Sequence, residues 1–77
     1  MEKDSEKFVT SDLSLAAFLS MKGLELLKCG KTNIGKFEFI FKDTDGFGPK
    51  YSIEYLNSDF CKFDHHVRSI KKMLYKN

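Results

Sequence analysis

Phenylalanines stand at 37, 39 and 41, and Glu38, Ile40 and Lys42 take the positions between and after them. A period of two puts the three rings on one side of an extended chain, which predicts a strand with one buried face. The segment LELLKC before it, residues 24–29, is separated from it by GKTNIG. The glycines and Asn33 of that separator suit a tight reversal, so the two segments are expected to form an antiparallel hairpin.

Upstream, SDLSLAAFLSMKG at residues 11–23 carries a helical pattern. Ser11 is the expected N-cap, Asp12 places negative charge in the first turn, and Gly23 closes the end. Leu15, Phe18 and Leu19 make one bulky apolar face, while Leu13, Ala16, Ala17 and Ser20 make a second face of mostly small side chains. A helix apolar on two sides is covered on two sides. The sheet is one expected cover; the last helix or a second copy of the chain is the other. Ahead of this helix FVT reads as a short strand, and MEKDSEK, residues 1–7, as a frayed polar terminus.

Downstream, DTDGFGPK is a loop with the only proline, and YSIEYLNSD reads as a short helix opening near Pro49. FCKF then reads as a short strand, followed by a final helix capped by Asp64 and running to about Tyr75. Val67, Ile70 and Leu74 form its apolar stripe, with Met73 and His66 at the edge, and are expected to pack inward. Arg68, Lys72 and Lys76 recur every four residues on the outward side, with His65 beside them and Lys71 and Tyr75 bordering. The expected architecture is a small single α+β domain over residues 8–77, in the order short β, α, β-hairpin, α, short β, α. Its antiparallel sheet is packed by helices, the face of Phe37, Phe39 and Phe41 lying on the first and last of them.

A chain of 77 residues buries only about 60% of its unfolded surface, so a dimer, a metal or a disulfide is a common addition at this size. Eight of the eleven aromatic residues are phenylalanine, which belongs in a core or an interface. The net charge of +2 does not by itself argue for nucleic acid, but it is unevenly spread. Residues 1–12 hold four acids against two lysines, and residues 61–77 hold five bases against Asp64. No apolar run approaches a membrane span or signal segment, which leads to the expectation of a cytoplasmic protein without membrane contact.

The segment CKFDHHVRSIKK, residues 61–72, concentrates the candidate chemistry. Cys29, Cys61, His65 and His66, with Asp64 or Asp59 as an alternative fourth ligand, are candidates for a structural zinc, which accepts mixed thiolate and imidazole ligands. Against zinc stand the lack of a C-x-x-C pair and the roughly 100° that separates adjacent histidines on a helix. The other reading makes both cysteines small buried hydrophobes and both histidines helix-start residues. A cysteine nucleophile would need a base and an oxyanion site as well, and only His65 is near, so an enzyme is not expected. DTDG at residues 43–46 lacks the later ligands of a calcium loop. Arg68, Lys71, Lys72 and Lys76, with Tyr75 as a stacking group, are candidate contacts to a protein partner or to a phosphate backbone. Phe47, Tyr51, Tyr55 and Phe60 are the aromatics from which an anchor patch could be built.

TSDLSLAAFLSMKGLELL, the phenylalanine-alternating strand, YLNSDFCKFD and IKKMLY together resemble a family of short bacterial and phage proteins of unknown function. Its pattern is a T-x-D-L-x-L-A-A-x-L helix, a G-x-x-L strand and a closing helix, and it covers about Phe8 to Tyr75 of this chain. The resemblance implies the fold and supplies no catalytic residues; Cys29, Cys61, His65 and His66 lie outside its motifs. By size and composition the chain is also similar in type to small anti-CRISPR proteins. That likeness implies a non-enzymatic inhibitor of a bacterial nuclease acting by protein–protein contact, and a homodimer is compatible with it. A small nucleic-acid-binding regulator using the basic last helix is the alternative.

Overall fold

The phenylalanine-alternating strand is the centre of the sheet. In the computed structural model, which describes residues 6–76, three antiparallel strands lie in the order β1-β3-β2, with β1 at Lys7–Thr10, β2 at Glu25–Lys31 and β3 at Phe37–Lys42. Phe41 pairs with Phe8 on one side and Leu26 on the other, and Phe39 pairs with Thr10 and Cys29. An irregularity between Leu26 and Lys28 shifts the β2 register by one residue. The hairpin turn closes with Gly35 N–H donating to Thr32 C=O at 2.9 Å, and Gly35 takes a φ of +84°. That left-handed backbone is why a glycine is wanted there.

Helix α1, Leu13–Met21, packs on one face of this sheet. Its cap is Asp12 rather than Ser11: the Asp12 carboxylate accepts from Ser14 N–H at 2.9 Å and Leu15 N–H at 3.2 Å. The sequence offers two adjacent capping residues, and the carboxylate one step later reaches the free amides. Gly23, at φ +103°, ends the helix as expected. Ala16 and Leu19 join Phe39 and Phe41 in the main core, with Phe8, Leu15, Leu24 and Tyr51 packed around them. Phe37 is a correction, since it stays exposed at the strand's start.

Helices α2, Gly48–Leu56, and α3, Asp59–Tyr75, follow. Asp43 is buried and fixes the start of α2, accepting from Phe47 N–H at 2.8 Å and Gly48 N–H at 2.7 Å. Tyr51 of α2 therefore reaches the phenylalanine core, the place expected for the last helix. Phe18 of α1, Tyr55 of α2 and Cys61 of α3 make a second, smaller buried cluster. Lys22 ties α1 to α2 through Glu54 at 2.9 Å and lies over the Tyr51 ring.

FCKF is not a strand. Ser58 caps α3, its hydroxyl accepting from Cys61 N–H at 3.3 Å, so the helix begins five residues before Asp64. The observed order is β, α, β-hairpin, α, α. At its start the chain also differs from expectation: Lys7 already belongs to β1, and Glu6 C=O accepts from Asp43 N–H at 2.7 Å. The rest of the expected frayed terminus, residues 1–5, lies outside the described residues.

The molecule is long and thin, about 55 × 31 × 14 Å, with a Cα radius of gyration of 14.4 Å. A compact chain of this length would have roughly 11.5 Å. The excess comes from α3. It runs antiparallel to α1, with Phe60 beside Phe18, Asp64 beside Ser14 and Arg68 beside Asp12. Past Arg68 it extends beyond the start of α1, so Ile70, Met73, Leu74 and Tyr75 are exposed. The expectation that this stripe packs inward is thus overturned for Ile70, Met73 and Leu74, while Val67 is half-buried at the α1–α3 contact. A helix of 17 residues is about 25 Å long, against about 13 Å for the nine of α1.

Candidate functional site

Where α1 and α3 diverge they leave an open apolar groove of about 330 Å³. Ser14, Ala17, Phe18 and Met21 form the α1 wall; Phe60, Phe63, Asp64 and Val67 form the α3 wall; Tyr55 completes the lining. Both walls follow from helical spacing. Ala17 and Met21 are exposed on α1, whereas Ala16, expected on the same small-residue face as Ala17, packs with Leu19 in the main core. Much of the groove lining is open to solvent. Phe60 is 54% exposed and Phe63 71% exposed.

A polar clamp holds the groove's edge. Ser14 Oγ–H donates to Asp64 Oδ1 at 2.6 Å, and Arg68 Nε–H donates to Asp64 Oδ2 at 2.7 Å. The Arg68 guanidinium also lies 3.6 Å from Asp12 Oδ1. The Ser14 hydroxyl, and after it Arg68, hold the Asp64 carboxyl below its ordinary value, although partial burial works the other way. Burial pushes the neighbouring Tyr55 phenol up. Asp64 was expected to be a helix cap; it is a mid-helix residue that joins α3 to α1.

The clamp gives an acid-dependent contribution with a definite sign. A depressed carboxyl stabilises the fold above its unfolded value of about 3.9, and the contribution disappears as pH falls through the lower folded value. Thermal melts of wild type and Asp64→Asn are therefore expected to differ at pH 6 and to converge towards pH 2. Ser14→Ala should cost about 1.5 kcal/mol at pH 6, the low end for a hydrogen bond to a charged group, since this one is only partly buried. A difference that is constant with pH would show that the Asp64 charge contributes nothing.

The other candidates from the sequence are dispersed. Cys61 is buried with Phe18 and Tyr55, Cys29 is exposed on edge strand β2, and His65 and His66 are exposed on α3. Among the described residues no three His, Cys, Asp or Glu side chains come together as a metal-binding group. The candidate zinc ligands Cys29, Cys61, His65 and His66 are therefore not brought together. Cys29 lies across the sheet from Phe39, while Cys61 is held in the separate helical cluster. Lys71, Lys72, Lys76 and Tyr75 are exposed as expected, but Arg68 is occupied by Asp64 and Asp12. Of the aromatics, Tyr55 is buried, Tyr51 half-buried and Phe47 packed on Tyr51 at 5.6 Å between ring centres. Tyr55 and Phe60 of that set line the groove, and of the two only Phe60 is exposed.

Sequence reasoning missed Phe63, Met21 and Ala17 as surface residues. The signal was present: Phe60, Phe63, Val67, Ile70 and Leu74 are spaced 3, 4, 3 and 4 apart, a continuous helical seam. Reading FCKF as a strand cut that seam at its second member.

No helix among the described residues is long and apolar enough to cross a membrane. No curated protein and no solved structure matches the chain. The model of one family, described as a domain of unknown function (DUF5659), matches residues 5–76, nearly the whole chain and every element of the fold, and the protein belongs to that family.

Proposed function

We propose that the protein works by binding another polypeptide through the apolar face shared by α1 and α3. The observation that carries this reading is the seam from Phe60 to Leu74, exposed along α3 and continuous with the groove. Apolar surface of this extent on a small chain marks a contact site, because water solvates it poorly and aromatic anchors dominate interface energetics. The reading requires no catalytic group, and the Ser14–Asp64–Arg68 clamp serves it by fixing the angle of α3. An inhibitor of a bacterial nuclease is one form of such a binder. Titrating the protein into a nuclease assay, with Phe63→Lys as control, tests that form.

Nucleic-acid binding is less well supported, since Arg68, the first member of the basic stripe, is already paired with two carboxylates. A photo-crosslinking residue placed at Phe63 in cells tests the main reading. Ile34, at the hairpin tip and 80% exposed, is the matched apolar control. Position 63 is expected to crosslink to protein, itself or another, and position 34 is not. No protein adduct at 63, or equal adducts at both, would end the reading.

A further inference from the structure

The exposed seam on α3 has the 3-4-3-4 spacing of helix-on-helix packing, and four of its members are 54%, 71%, 55% and 71% exposed at Phe60, Phe63, Ile70 and Leu74. We propose that its occupant is α3 of a second copy of this chain, running antiparallel. The inference rests on the reading of the α1–α3 face as a docking surface and names its partner.

Charge selects the orientation. Asp59, Lys62 and Asp64 lie in the first half of α3, a balance of −1 with Lys62 beside Asp59, and Arg68, Lys71 and Lys72 lie in the second, a balance of +3. A parallel pair would set the lysine-rich ends side by side, whereas an antiparallel pair sets each against the acidic half of its partner. With the two-fold axis between Val67 and Ile70, Val67 of one copy meets Ile70 of the other, and Phe63 meets Leu74. The same register brings Lys71 beside Asp64 of the second copy. Leu74 of the second copy then enters the groove at Phe63 and Val67, two members of its α3 wall.

The area is that of a small two-fold interface. Phe63, Ile70, Met73 and Leu74, which this register brings within reach of the second copy, are each more than half exposed. At about 200 Å² for a side chain of this size, they hold on the order of 500 Å² of accessible surface. A standard interface buries about 800 Å² per partner, and smaller ones belong to weaker pairs. The elongated shape has the same explanation, because the two turns of α3 beyond Arg68 rest on the second copy. Self-complementarity is also what a two-fold interface demands, since the same patch serves both sides.

Sedimentation equilibrium on the full chain, from low to high micromolar concentration, tests the proposal. Wild type is expected at twice the chain mass, and Ile70→Lys at the chain mass with unchanged helical circular dichroism, because Ile70 contributes little to the core of a single copy. A spin label at Tyr75→Cys, in a Cys29→Ser background, reads orientation. An antiparallel pair separates the two labels by roughly 20 Å along the helix axis, and a parallel pair brings them to within about 10 Å. A monomeric wild type, a dimer indifferent to Ile70→Lys, or the short label distance would each overturn the proposal. A monomer that still crosslinks at position 63 to a different protein would remove the second copy and leave the binding reading intact.

Discussion

Phe41→Ala is expected to cost about 3–5 kcal/mol, the range for removing a buried aromatic ring. Phe41 is fully buried, stands between Phe8 and Leu26 in the sheet, and belongs to the core cluster with Ala16, Leu19 and Phe39. A chain of 77 residues has a total stability of about 4–11 kcal/mol, so the loss approaches the whole. Thermal melting should fall by roughly 15 °C or more, or no cooperative transition should be seen at all. Phe37→Ala is the internal comparison. It lies four residues away on the same side of the strand but is exposed, and should cost less than about 1 kcal/mol. Equal losses for the two would mean that Phe41 is not the centre of the core.

Asp43→Ala should be the next most damaging change. The buried carboxylate is the acceptor for two backbone amides, Phe47 and Gly48, and it sets where α2 begins. Removing it leaves two donors without their partner, and each bond to a charged group contributes about 1.5–3 kcal/mol. A loss of about 3 kcal/mol in denaturant unfolding is expected, with Asp43→Asn intermediate because one carbonyl acceptor remains. Gly48→Ala probes the same corner sterically. A Cβ there would sit 2.5 Å from Phe8 Cδ1 and 2.8 Å from Asp43 Oδ2, a clash worth about 1–3 kcal/mol of overpacking. Near-wild-type unfolding of both Asp43→Ala and Gly48→Ala would refute the role given to this corner.

Much of the fold was legible because its strongest signals are local. The alternating phenylalanines fixed the hairpin, and Pro49 and Gly23 marked a helix start and a helix end. Errors arose where two neighbouring residues offer the same local chemistry. Ser11 and Asp12 can each cap α1, and Ser58 and Asp64 can each cap α3; only the tertiary position decides. At Asp64 the decisive contact is with Ser14, fifty positions away in the chain. That one misplacement had a larger consequence, because it divided the seam of α3 between a supposed strand and a shortened helix. Burial of Val67, Ile70 and Leu74 was inferred from their apolar character, and periodicity cannot distinguish a core from an interface. Length led to the expectation of a dimer, a metal or a disulfide; among the described residues Phe41 and Leu19 are the largest fully buried side chains, and much apolar surface lies outside the core.

The central claim is that the outer seam of α3 is covered by a second copy of the chain. Amide hydrogen exchange over residues 67–75, measured on the purified chain at low and at high concentration, tests it most directly. Protection of this segment is expected to rise with concentration while the exchange of β3, already buried in one copy, stays the same. Exchange across 67–75 that is fast and independent of concentration would contradict the claim.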